Sequence, residues 1–290
     1  MLKIKKGIAS SDIEYGSSRI LFVEGINGSL DEELLTQVFS TINVKGIGPC
    51  SYIKSAASAF ADVHPTYFFV VDRDHQTDEN IEKTWEAFEK KRGNLIIWRK
   101  KEIENYFLDP MLLSASEFLK GEITEADIRE AIVSYAKEEL YMCVTNRVII
   151  DLRENLKVNW IHNYTNSNEF PNKETALLTL KGNAVIKEKL SEIDTMFSSM
   201  EDIFNRELRF LLGENEELRW GEGRWLDLMP GKSILHKLLN STKLFVVTDN
   251  YGNQVTGKDR RKLILSRILK DESVWPDDFK KLKTLLDNRE

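Results

Sequence analysis

The stretch Tyr67–His75 constrains this chain more than any other: Tyr-Phe-Phe-Val-Val and then, without transition, Asp-Arg-Asp-His. Five apolar or aromatic residues in a row read as a central strand buried on both faces, the pattern of a parallel sheet covered by helices on either side. The run ends in two carboxylates, Asp72 and Asp74. In a parallel α/β sheet the carboxyl ends of the strands carry the site. Residues two apart at a strand end point the same way, so both acids can share one divalent cation. A plainer reading stays open beside it, in which Asp72 starts a turn and Asp74 caps the next helix.

A strand of the same kind lies upstream. Arg19-Ile-Leu-Phe-Val-Glu-Gly25 predicts a buried strand over Ile20–Val23 that ends in an acid, Glu24, and a glycine. The glycine permits a tight turn and a close approach of the backbone to a ligand. Ser29 or Asp31 is placed to cap a helix over Asp31–Thr41, whose Leu34, Leu35, Val38 and Phe39 make one apolar face. Asn43–Pro49 reads as a short strand and a glycine-rich loop, Tyr52–Ala61 as a short helix, Asp78–Arg92 as a longer one. The strand Asn94–Trp98 closes the set. Strand and helix alternate throughout, which predicts an α/β fold with a parallel sheet flanked by helices over residues 18–110.

After Pro110 the pattern changes. Leu112–Lys120, Glu125–Val158, Lys173–Leu180 and Val185–Leu212 carry charged and apolar residues at helical spacing, so 111–220 is expected to be a large, mainly helical insertion or extension. Polar Asn159–Asn172 is expected as a loop. Residues 221–290 read as helices packing on the core, with a β-hairpin over Lys243–Thr256 that turns at Tyr251-Gly252.

Composition matters here mainly for what it excludes. No apolar run reaches the about 18 residues a membrane span needs. The basic start, Met1-Leu-Lys-Ile-Lys-Lys-Gly, is not followed by the apolar stretch of a signal peptide. Cys50 and Cys143 have no metal-ligand spacing, and two reduced thiols fit a cytoplasmic protein. A net charge of −6 does not advertise nucleic-acid binding, but site carboxylates weigh on that total while basic patches are local. The local runs are Arg99-Lys100-Lys101 and Lys258-Asp-Arg-Arg-Lys262.

Gly231-Lys232-Ser233 is not a phosphate-binding P-loop, because position 226 is Leu226 rather than glycine and no buried strand leads into it. His64, His75, His162 and His236 show no paired spacing, so zinc hydrolase chemistry is unsupported. What remains is acid. Glu24 ends one strand and Asp72 with Asp74 ends another, and these strands can be neighbours. Carboxylates converging on one sheet edge repel each other unless a cation neutralises them. Oxygen ligands without His or Cys favour Mg²⁺ or Mn²⁺, and carboxylate-held Mg²⁺ serves phosphoryl chemistry.

Strand-Glu-Gly (Val23-Glu24-Gly25) followed by strand-Asp-x-Asp (Val71-Asp72-Arg73-Asp74), in that order and spacing, resembles a Toprim domain, the family of topoisomerases, primases and OLD-type nucleases. Glu102-Ile-Glu-Asn-Tyr-Phe-Leu-Asp109 and Trp225…Met229-Pro-Gly-Lys232 are similar to stand-alone Toprim proteins of bacterial defence loci, nearest to the Toprim effectors of PARIS anti-phage systems. The resemblance implies a toxic effector of abortive infection. Such an effector is restrained by an ABC-type ATPase partner and cleaves nucleic acid, tRNA above all; a homodimer is expected on a separate ground, because a lone Toprim core is small for recognising structured RNA. OLD nucleases often carry a further acid four residues after the first glutamate, where this chain has Gly28.

Mapped onto this sequence, Glu24, Asp72 and Asp74 are the expected metal ligands, with Glu24 also placed as general acid or base. Glu104 completes the acidic cluster. Lys101 or Arg73 stabilises charge on the scissile phosphate. Arg73, Lys258, Arg260, Arg261 and Lys262 are the expected nucleic-acid contacts. The rival is a binding module, a receiver- or flavodoxin-like domain that holds Mg²⁺ without cutting. It would use Asp72 as phosphoacceptor and Lys100 or Lys101 as its strand lysine. A primase or topoisomerase fragment is a weaker third.

Overall fold

The five residues of the central apolar run are all buried, each at 1% exposure or less. They form β3 (Tyr67–Val71). Side chains alternate between the two faces of a strand, so a strand buried at every position must be covered on both. In the computed structural model, which describes residues 19–289 except 62, 156–177, 180, 181, 183 and 250, β3 lies inside a four-stranded, all-parallel sheet. The strand order is β2 (Asn43–Gly46), β1 (Ile20–Val23), β3, β4 (Leu95–Ile97). The register places Phe22 beside Phe69, and their rings stack at 5.0 Å. β1 and β3 are therefore neighbours, and their carboxyl ends, with Glu24 and Asp72, open on the same edge.

Helices α1 (Leu30–Val38), α2 (Cys50–Phe60) and α3 (Asp78–Glu89) connect the strands, as parallel pairing requires. Ser29 caps α1, accepting from the Glu32 N–H at 3.4 Å. Thr77 caps α3, so neither Asp31 nor Asp74 is spent on a cap. Trp85 of α3 donates its indole N–H to Ile97 O at 2.9 Å, fastening the helix to β4. After β4 come a 3₁₀ turn (Ile103–Phe107) and α4 (Pro110–Ser114). The helix expected over Leu112–Lys120 thus ends at Ser114.

The chain divides into two units, one of residues 1–139 with 224–290 and one of residues 140–223. α5 (Glu125–Asn155) starts in the first. The first unit also holds α8 (Trp225–Leu228), α9 (Gly231–Asn240), α10 (Gly257–Ile268) and α11 (Asp277–Asp287). The C-terminal segment packs on the sheet domain: Phe279 meets Trp98 at 5.4 Å and Tyr106 at 5.2 Å. The expected hairpin is reduced to one bridge, Thr248 to Gln254, with Val255 N–H donating to Val247 O.

The second unit carries the later part of α5, then α6 (Ala184–Ser198) and α7 (Met200–Leu212), so the single helix expected over Val185–Leu212 is interrupted at Ser199. Arg147 pairs with Glu207 at 2.7 Å there. Residues 1–18, the loop expected over 159–172 and most of the helix expected over 173–180 lie outside the described residues.

Candidate metal centre at the carboxyl edge of the sheet

At the ends of β1 and β3 a cleft of about 340 Å³ is lined by Glu24, Asp31, Asp72, Glu102, Glu104 and Lys232, with backbone and small side chains between them. Five carboxylates thus face one lysine. Burial pushes the Asp72 carboxyl up to about 9, helped by repulsion from Asp31, Glu24, Glu104 and Glu102. Burial raises Asp31 to about 7, with Glu104 adding to the effect and Lys232 opposing it. Glu24 and Glu104 are shifted upward as well, burial again being the main cause. Acids in this state hold protons they would lose in water.

Glu24 is the most firmly placed of the acids. It follows the last residue of β1 and accepts hydrogen bonds from the backbone N–H groups of Asp72 and Cys50. Its Oε2 is buried with no partner. A buried carboxylate oxygen left unpaired is costly unless something absent from the protein itself satisfies it. Gly25 explains the second half of the Glu-Gly pair. Its φ is +106°, and a Cβ there would stand 2.7 Å from Ser29, so the tight turn that delivers Ser29 and Asp31 to the cleft admits only glycine.

The structure separates the two aspartates expected to act together. β3 stops at Val71, and Asp74 takes a positive φ of 48°. The alternation that would align positions 72 and 74 has therefore ended. Asp72 lines the cleft, whereas Asp74 is exposed, outside the lining, and near enough to Glu24 to raise its proton affinity.

Arg73 is buried at 6% exposure and spends its guanidinium on Arg99 O (2.8 Å) and Asp78 (2.7 Å), so it faces away from solvent and from any strand laid over the site. Lys101 is held through its backbone: its N–H donates to Asp227 O and its carbonyl accepts from Arg73 N–H. Its side chain does not line the cleft. The lysine that does is Lys232, 2.8 Å from Glu102 Oε2 through its backbone N–H.

The basic run of α10 divides in the same way. Arg260 is 2% exposed and donates to Leu239 O, Ser241 O and Phe245 O, which makes it a structural residue rather than a nucleic-acid contact. Lys258 donates to Gly28 O, and Lys262 pairs with Glu33 at 3.0 Å. Arg261 attracts Glu104 electrostatically, while its buried Nε has no hydrogen-bond partner. Of the expected basic contacts it is the one turned toward the acids.

Asp31, Glu102 and Lys232 are site residues that pattern reading missed. Asp31 passes for a helix cap, but Ser29 occupies that position and leaves Asp31 free, three residues beyond Gly28. Glu102 and Lys232 sit in stretches far apart in sequence that only packing joins.

Among the described residues, no group of three or more His, Cys, Asp or Glu side chains is gathered as it would be around a bound ion. The donors nevertheless suit one. They are all carboxylates, mutually repelling, with one buried oxygen unsatisfied. Uncompensated like charges stand apart, and a hard divalent cation is what draws such a set together. No protein-family model matches this chain, and no curated protein matches it.

Proposed function

We propose that this chain is a Toprim-type nuclease that hydrolyses phosphodiester bonds with Mg²⁺ or Mn²⁺, and that its substrate is RNA, tRNA first. The observation that carries the proposal is the cleft of five carboxylates and one lysine at the carboxyl edge of a parallel sheet, with Glu24 Oε2 buried and unpaired. In this reading Asp31, Asp72 and Glu104 hold the ion. When bound, the ion supplies electrostatic stabilisation for charge developing on the phosphate.

The protein's own groups do the rest. Glu24, anchored by two backbone N–H groups, either joins the ligands of the ion or stands beside it and takes or returns the proton of the hydrolytic step. Lys232, lining the same cleft, offsets negative charge on the phosphate. Glu102 accepts the Lys232 backbone N–H at 2.8 Å. Membership of a defence pair, with an ABC-type ATPase restraining a dimeric toxin, rests on the resemblance of Glu102–Asp109 and Trp225–Lys232. Among the described residues no helix is long and apolar enough to cross a membrane.

A receiver-like module would need a lysine from the end of β4 opposite Asp72. Lys100 instead reaches Asn105 O (3.4 Å) and Asp227 (3.5 Å), which weighs against that role. The deciding experiment is cleavage of total tRNA by the purified chain in Mg²⁺ or Mn²⁺, beside Glu24→Ala. Metal-dependent fragments that vanish with Glu24→Ala are expected. Cleavage that ignores chelator or survives the substitution would defeat the assignment, as would inertness toward both tRNA and plasmid DNA.

A further inference from the structure

We infer that Asn105 is a positioning residue that, together with Gly231, sets Lys232 over the acid cleft; the inference rests on the metal-dependent reading above. Asn105 is wholly buried, at 0% exposure, and a polar side chain so placed must have its bonds made inside the protein. Its amide donates to Leu226 O at 2.8 Å and Met229 O at 3.0 Å, and its Oδ1 accepts from Glu102 N–H at 3.1 Å. Both carbonyls it grips belong to the segment that leads into α9 and Lys232.

Gly231 is the other half of the joint. A Cβ at that position would stand 2.3 Å from Asn105 Oδ1 and 2.7 Å from Asn105 N. No side chain fits there without moving the start of α9 away from the 3₁₀ turn. The next residue is Lys232, whose backbone N–H is fixed on Glu102 Oε2. Asn105 thus holds the approach to the helix, Gly231 allows the contact, and Glu102 receives the N–H of Lys232, the second residue of α9. The outcome is that Lys232, among the described residues the one cation lining the cleft, is delivered by a segment more than 120 residues away in sequence from the acids beside it.

A buried amide can also be a plain stabiliser. What separates the two roles is whether its loss is felt through the charge of Lys232. That charge opposes a divalent cation in the same cleft, so removing or displacing it must tighten cation binding.

The test uses the full chain and Mn²⁺, with free ion followed by electron paramagnetic resonance and cleavage kinetics run in parallel. Lys232→Ala is expected to tighten Mn²⁺ binding about three- to tenfold and to lower kcat. Gly231→Ala and Asn105→Leu should each move both quantities in the same directions. The double variant Gly231→Ala/Lys232→Ala should go no further than Lys232→Ala alone, because both act through one group. If Gly231→Ala does not fold, Asn105→Leu decides, with circular dichroism as the check on folding. Folded variants that bind Mn²⁺ as the native chain does, or effects that simply add in the double variant, overturn the inference. A native chain that binds no Mn²⁺ overturns the metal reading and this inference with it, a result distinct from binding that ignores the joint.

Discussion

Two clusters of charge in the first unit obey opposite rules. In the acid cleft, five carboxylates face one lysine, and the acids are pushed toward their protonated forms. In a larger cavity of about 560 Å³, lined by Arg73, Asp78, Arg99, Arg224 and Asp278 among others, these five charges are joined in ion pairs. Asp78 sits between Arg224 and Arg73, both at 2.7 Å, and its carboxyl is held well below the usual range by Arg224 first and Arg73 second. Arg99 bridges Glu82 and Asp278, with Glu82 the main cause of its raised proton affinity. The matched cluster stabilises the fold. The unmatched one departs from what folding alone would select, and strongly perturbed acids in a cleft mark a functional site.

Four outcomes sharpen or break this contrast. The largest concerns activity. Asp72→Asn should lower metal-dependent cleavage about a thousandfold or more, while Asp78→Asn should leave cleavage within about tenfold. Equal losses in the two variants, measured by initial rates on tRNA, would erase the functional distinction.

Second in size is the stability of the matched cluster. Asp78→Asn leaves the buried Arg73 guanidinium without its carboxylate, but the Asp78 side chain is itself 60% exposed. The full cost of a broken buried pair is therefore discounted for solvent screening to about 1–2 kcal/mol, readable by urea denaturation. Because the folded-state pKa of Asp78 is depressed, its contribution is present above the unfolded carboxylate value near pH 4 and is lost as pH falls below that.

The cleft should show the opposite sign. Asp72 is raised to about 9 in the fold, so its contribution is full below about pH 4 and declines as pH rises toward 9. In the metal-free chain Asp72→Asn is expected to stabilise by about 0.5–2 kcal/mol at pH 8 and by much less at pH 5. Mg²⁺ should raise the native Tm by a few degrees at pH 8, and less in the variant. A variant less stable than the native chain at pH 8 would mean that Asp72 is compensated within the protein.

The smallest effect sets the baseline. Lys83 and Glu79 pair at 2.6 Å on the exposed face of α3, and Glu79→Ala should leave the thermal melt nearly unchanged, because solvent screens an exposed pair. A much larger loss in thermal melts would show that surface pairs here cannot be dismissed, and the contrast between the clusters would then need another basis.

Much of the frame was legible in the chain. Ile20–Val23 and Tyr67–Val71 announced themselves as buried strands because unbroken apolar runs have few other places to go, and both carry acids at the sheet edge. Glu24 and Asp72 were found for that reason. Asp74 misled because i and i+2 coincide only while the strand continues, and the backbone turns left-handed there. Arg73 and Arg260 looked like basic contacts, yet burial turned both inward to carbonyls and, for Arg73, to Asp78. A charge count along the sequence carries no information about which way a guanidinium points.

Local pattern was enough for the parallel α/β sheet, for the acids at the ends of two of its strands, and for the helices among the described residues after Pro110, because period and burial are local properties of the residues. Only the tertiary structure decided that Asp31, Glu102 and Lys232 belong to the same cleft. Glu102 and Lys232 meet where Asn105 grips the carbonyls of Leu226 and Met229 and Gly231 fits against it, contacts across long stretches of chain that no local pattern encodes.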